Sequence, residues 1–131
     1  MEAMPLQDAM RGRPDRAPML RREGDYWTII YDASVVRLKD AKGLRYLERL
    51  LRDPGRSFHV AELIHVAAGQ PPTEDGAKAV ERARKAVTNR IRQTVARIAG
   101  VHEGLGIHLR NAVHTGTHCT YAPERPTRWS R

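Results

Sequence analysis

Cys119 is the only cysteine in a chain of 131 residues. One thiol cannot close an internal disulfide, so no disulfide framework holds the fold, and a reducing cytoplasm is expected. Aromatic residues are scarce, at 5%, so Leu, Ile, Val and Ala must fill most of the core. No apolar run approaches the roughly 18 residues of a membrane span. The first residues carry charge throughout and hold no apolar h-region, so no secretory signal is expected. No paired carboxylates sit in an apolar context for acid–base work. Gly104-x-Gly106 is too short for a dinucleotide loop. Cys119 has no identifiable adjacent base and reads as a buried strand cysteine. His108, His114, His118 and Cys119 cluster near the end, but the Cys-x-x-Cys half of a zinc finger is missing. His118 and Cys119 are also neighbours, which point to opposite faces of a strand. No catalytic residue, metal ligand, cofactor or small-molecule substrate is therefore expected.

Acidic residues are also missing from one region. The formal net charge is +8. Residues 1–24 carry a net +1 and residues 25–75 a net −1. Residues 76–131 hold eleven Lys and Arg against Glu81, Glu103 and Glu124, a net +8. A basic field confined to one part of the chain attracts a polyanion and steers its approach. Nucleic acid fits this better than an anionic membrane, because the polar face lacks flanking Trp or Phe for interfacial insertion. The plainer alternative is a solvated basic surface that aids solubility.

Residues 76–99 read as one long amphipathic helix. Val80, Ala83, Val87, Ile91, Thr94, Val95 and Ile98 recur at steps of three and four and share a face. Arg82, Lys85, Asn89, Arg92 and Gln93 fall opposite, with Arg90 and Arg97 on the flank. Arg and Lys suit phosphates and guanine; Asn and Gln suit adenine. Asn89 and Gln93, four residues apart, can face bases together. Arg82, Lys85, Arg92 and Arg97 would hold phosphates.

The rest of the chain reads as a scaffold. Residues 1–24 hold three prolines and no persistent period, and are expected to be a flexible basic arm. Residues 25–30 and 35–39 are β-branched and aromatic around a turn-like Asp32-Ala33-Ser34, which predicts a hairpin with Trp27 as a packing anchor. Asp40 is expected to cap a helix over 41–52 whose stripe is Leu44, Leu47, Leu50 and Leu51. Asp53-Pro54-Gly55 ends it. Ser57-Phe58-His59 predicts a short strand, and 60–68 a short helix. Thr73 is the expected N-cap of the long helix, with Gly100 just past its end. Residues 107–113 and 119–121 read as two strands of a hairpin, and 124–131 as an extended tail.

Helix, helix, loop, helix, hairpin is the layout of a winged helix-turn-helix. The fold class expected is α+β: a three-helix core with an N-terminal β-hairpin and a C-terminal β-hairpin wing, over residues 25–123. RLKDAKGLRYLERLLRDPGRSFHVAELI, AVTNRIRQTVARI and HLRNAVHTGTHCTYAP together resemble the OmpR/PhoB type of winged-helix effector domain. They are also similar to winged-helix modules appended to some large bacterial regulators and ATPases. The resemblance implies a bacterial, cytoplasmic transcription regulator that binds double-stranded DNA. It implies recognition contacts from Asn89, Arg90, Arg92, Gln93 and Arg97, and wing contacts from the tip His114–His118 within a wing over 107–121. Arg110, His114, Thr115, Thr117 and His118 complete the set of expected contacts. A homodimer is compatible with it. The alternative from another class is a protein-interaction or dimerisation module of the same fold.

Overall fold

The computed structural model of the chain describes residues 18–68, 76–125 and 127–129. Among them, two three-stranded antiparallel sheets flank four helices. The first sheet is β1 (Met19–Glu23), β2 (Tyr26–Tyr31) and β3 (Ser34–Lys39), paired in that order. Next come α1 (Lys42–Arg52), β4 (Ser57–His59), α2 (Val60–Ala68) and α3 (Ala77–Val101). The chain ends with α4 (Glu103–Ala112), β5 (Val113–His114) and β6 (His118–Tyr121). The second sheet has the order β4-β6-β5. This α+β arrangement is winged-helix-like in general form, with a fourth helix and a third N-terminal strand beyond the expected plan.

The β2–β3 hairpin forms where β-branched residues alternate. Asp32 and Ala33 both take positive φ, 53° and 64°, as a two-residue primed turn requires. Trp27, Ile29 and Leu38 point inward and are buried. β1 corrects the expected extent of the arm: Met19–Glu23 pairs along β2, with Leu20 opposite Ile29. Leu20 is the one fully buried residue of this strand, so no period in the sequence marks it. Residues 1–17, the rest of the expected arm, lie outside the described residues. So do Thr73, its expected capping role, and the adjacent Glu74 and Asp75.

α1 buries Leu44, Leu47, Leu50 and Leu51 as its spacing requires, together with Tyr46. Asp40 does not cap it. Ala41 holds the N-cap position without a side-chain bond. Asp40 instead accepts from Trp27 Nε1 at 2.8 Å and from Arg45 at 2.6 Å, and pairs with Arg22 at 3.0 Å. A buried indole N–H needs an acceptor, and the carboxylate supplies it. The Arg45 hydrogen bond holds the Asp40 carboxyl below the usual carboxylate range, helped by Trp27 and Arg22 against the effect of burial.

The largest correction concerns residues 103–112. They form helix α4, not the first wing strand. His102 ends α3 and caps α4, its Nδ1 accepting from the Leu105 N–H at 3.1 Å. Leu105, Leu109 and Ala112 then share one buried helical face. Gly104 and Gly106 hid this period. Gly106 is there for packing, because a Cβ at that position would run into the Ala99 side chain and come within 2.6 Å of its Cα. Gly100 consequently lies inside α3, which continues to Val101. The hairpin proper is only Val113–Tyr121, and β6 joins it to β4 through Phe58 opposite Cys119. Cys119 is fully buried there.

α3 lies between α1 and α4, against glycines on both sides. A Cβ on Gly43 of α1 would overlap the Thr94 hydroxyl and stand 2.5 Å from the Arg90 carbonyl. These two close approaches set the rotation of α3. The tail then closes the core. Trp129 stacks on Tyr31 with centroids 5.9 Å apart. Its Nε1 donates to the Tyr121 hydroxyl at 3.1 Å, which leaves the phenol hydrogen for His108 Nε2 at 2.6 Å.

Gly43→Ala and Gly106→Ala should each destabilise the fold by roughly 1–3 kcal/mol, the usual range for overpacking. Gly100→Ala, which meets nothing within 4 Å, should be neutral or slightly stabilising; urea melts of the three variants decide this. Burial lowers the His108 pKa below its ordinary value. Its stabilising contribution is therefore complete above about pH 6.5, the unfolded value, and is lost as pH falls toward the folded one. Thermal melts across that window should show a decline in wild type that His108→Gln removes.

Candidate nucleic-acid interface

α3 is 25 residues long, about 37 Å at 1.5 Å per residue. Its buried face is Val87, Thr88, Ile91, Thr94, Val95 and Ile98, with Val80 and Ala83 partly buried. The opposite side faces solvent. Arg82, Lys85, Asn89, Arg90, Arg92, Gln93 and Arg97 are all exposed. The glycine contacts divide them. Arg90 lies on the α1 side, where its carbonyl meets Gly43. Arg97 is on that side too, and its Nη2 donates to the Lys39 carbonyl at 3.4 Å. Arg92 lies on the α4 side, lining a groove with Arg110 and Thr115. Arg82, Lys85, Asn89 and Gln93 form the crest between the flanks. Lys78, which the sequence reading left out, is exposed on the same crest; its step of four to Arg82 was the available signal.

The described arginines of the first sheet, the helices and the loop after α1 fall into two groups. Those on the N-terminal sheet and α1 are neutralised by neighbours. Arg22 and Arg45 share Asp40, Arg52 holds Glu48 at 2.7 Å, and Arg49 holds Asp53 at 3.4 Å. Arg56 reaches Glu62 at 2.8 Å, and Arg21 and Arg37 flank Glu23. Of the α3 arginines only Arg84 has an ion pair among the described residues, with Glu81 at 2.5 Å. Arg82, Arg90, Arg92 and Arg110 have no ion pair or hydrogen-bond partner among the described residues. Arg97 touches only a backbone carbonyl, which cancels no charge. Surface pairs give little stability, but they do cancel field. Among the described residues, Arg82, Arg90, Arg92 and Arg110 of α3 and α4 therefore stay uncancelled, as do the exposed Lys39, Lys42, Arg125 and Arg128 elsewhere.

The hairpin contributes unevenly. Thr115 is half-buried in the groove beside Arg92 and Arg110. His114 and Thr117 are exposed. The Thr117 carbonyl accepts from the Val60 N–H at 2.9 Å, so the hairpin loop is tied to the start of α2. His118 is exposed, but its ring lies edge-on to His59 at 5.2 Å. That contact holds it to the sheet and away from the groove residues. Arg110 reaches the groove from a helix, not from the strand on which it was expected.

Among the described residues no group of three or more His, Cys, Asp or Glu side chains is arranged to hold a metal ion. No described helix is long and apolar enough to cross a membrane. Comparison with protein-family models, with curated proteins and with solved structures gives no match for the chain.

Proposed function

We propose that the chain binds double-stranded DNA, with α3 in the major groove and the hairpin loop against the backbone, as a transcription regulator of the OmpR/PhoB-like type would. The observation that carries this reading is the layout of α3. Amide side chains that suit base edges, Asn89 and Gln93, lie on an exposed crest. Unpaired arginines stand on both flanks, Arg90 and Arg97 on one side and Arg92 on the other. A helix in a groove about 12 Å wide meets base edges along its crest and phosphates on each side. Phosphate contacts fix register and make binding salt-sensitive, while base contacts specify sequence. Each good bidentate base contact discriminates by roughly 1–3 kcal/mol. No catalytic step is part of this proposal.

A second reading, a protein-interaction or dimerisation module, is favoured by one observation. Val101 and Ile107 are both exposed, at 57% and 46%, and line a shallow depression between α3 and α4. Its signature is self-association that ignores salt, with no shift on DNA.

The test is a salt titration of binding to random-sequence duplex, repeated with two variants. Arg92→Ala should weaken binding to every sequence and reduce the log–log salt slope by about 1. Asn89→Ala should leave the slope alone and relax sequence preference. Binding unchanged in both variants would remove the α3 crest from the interface.

A further inference from the structure

An open groove of about 410 Å³ lies between α3, α4 and the hairpin loop. Arg92 forms one wall and Arg110 the other, with Thr115 at the hairpin end. The floor between them is apolar, built from Leu109, Val113 and Ala96 among others. Leu109 is buried, Val113 half-buried and Ala96 exposed. Neither arginine has a partner among the described residues, whereas every arginine of α1 is paired within the fold.

Two uncancelled guanidinium groups above an apolar floor, with a hydroxyl at one end, suit a ligand that is itself amphipathic. A nucleic-acid backbone is such a ligand. Its phosphate oxygens would accept from Arg92, Arg110 and Thr115, and the carbon edge of its deoxyribose would cover Ala96 and Val113. A free inorganic phosphate would use the arginines alone and leave the floor wet. We propose that this groove holds the sugar-phosphate backbone of one DNA strand, so that α4 grips the duplex together with α3. The inference rests on the proposed duplex binding. It adds that Arg110 is a positioning contact, reading no base, which sets the depth and register at which Asn89 and Gln93 meet the base edges. α4 then takes over a share of the backbone contact that a longer wing would otherwise supply.

The experiment uses the whole chain and fluorescence anisotropy with random-sequence duplex across a chloride series. Arg110→Ala should bind every sequence roughly three- to tenfold more weakly, with a salt slope smaller by about 1. Val113→Glu, which places an acid in the floor, should weaken binding further. Arg37→Ala on the N-terminal sheet, outside the groove lining, removes the same formal charge and should change neither affinity nor slope. Equal losses in Arg37→Ala and Arg110→Ala would reduce the effect to bulk charge and overturn the proposal. Inorganic phosphate at matched ionic strength should not displace DNA. Displacement from wild type but not from Arg110→Ala would mark a free-anion site and also overturn it. Wild-type binding that Asn89→Ala alters but Arg110→Ala leaves intact would defeat the groove and spare the duplex reading. No wild-type binding at all would defeat both.

Discussion

The rotation of α3 about its own axis decides what this molecule can present. Two glycines hold that rotation. Gly43 lets α1 approach at Arg90 and Thr94, and Gly106 lets α4 approach at Ala99. With a side chain at either place, α3 would have to lift away or turn. A turn of one residue position, about 100°, would carry Asn89 and Gln93 off the crest and bring arginines toward the core. The apolar stripe from Val87 to Ile98 supplies the burial energy, but such a stripe tolerates some rolling. The backbone-close contacts at its two edges remove that freedom, because packed interiors adjust little. α1 is held in turn by the Asp40 carboxylate, which joins Trp27 of β2 to Arg45 of α1. The first sheet thus positions the helix indirectly, through α1.

Charge in the fold follows the same division. From Met19 to Arg56 the described residues hold seven arginines, and each has an acidic side chain within 4 Å. The second half carries arginines without acids to match. Arg82, Arg90, Arg92 and Arg110 stay uncancelled on the two helices that meet at His102. Composition alone, a net +8 beyond residue 75, locates the excess in the chain. The fold places Arg82, Arg90, Arg92 and Arg110 of that excess on two packed helices. On α3 the crest mixes the amides Asn89 and Gln93 with Lys78, Arg82 and Lys85, and the α4 side is grooved.

The sequence was legible where a single period governed burial. The stripes of α1 and α3, the β2–β3 hairpin, the strand at Phe58 and the core positions of Trp27 and Cys119 all follow from local spacing. It was less legible where a tertiary contact chose the residue. Gly106 looks like a helix breaker and is a helix-packing residue, so local spacing reads 107–113 as a strand and puts Arg110 on the wrong kind of element. β1 has only Leu20 facing the core, and Arg21, Arg22 and Glu23 made it resemble a loose arm. Asp40 has the spacing of a helix cap, yet a buried indole claimed its carboxylate. Trp129 had no readable role until Tyr31 and Tyr121, far apart in sequence, came together to receive it. Of the candidate contacts, those on α3 were legible as an exposed face. On the hairpin, His114, Thr117 and His118 are exposed too, and of the candidate hairpin contacts only Thr115 shares the groove.

On the proposed reading a duplex docks against the exposed face of α3, with α4 and Thr115 beside it. Backbone amide NMR during titration with duplex DNA tests it most directly, because it maps the contact residue by residue. Shift changes are expected over the exposed positions from Arg82 to Arg97, around Arg110 and at Thr115, with β1, β2 and β3 unmoved. Changes centred on the paired arginines of α1 and the first sheet, or none anywhere, would contradict it.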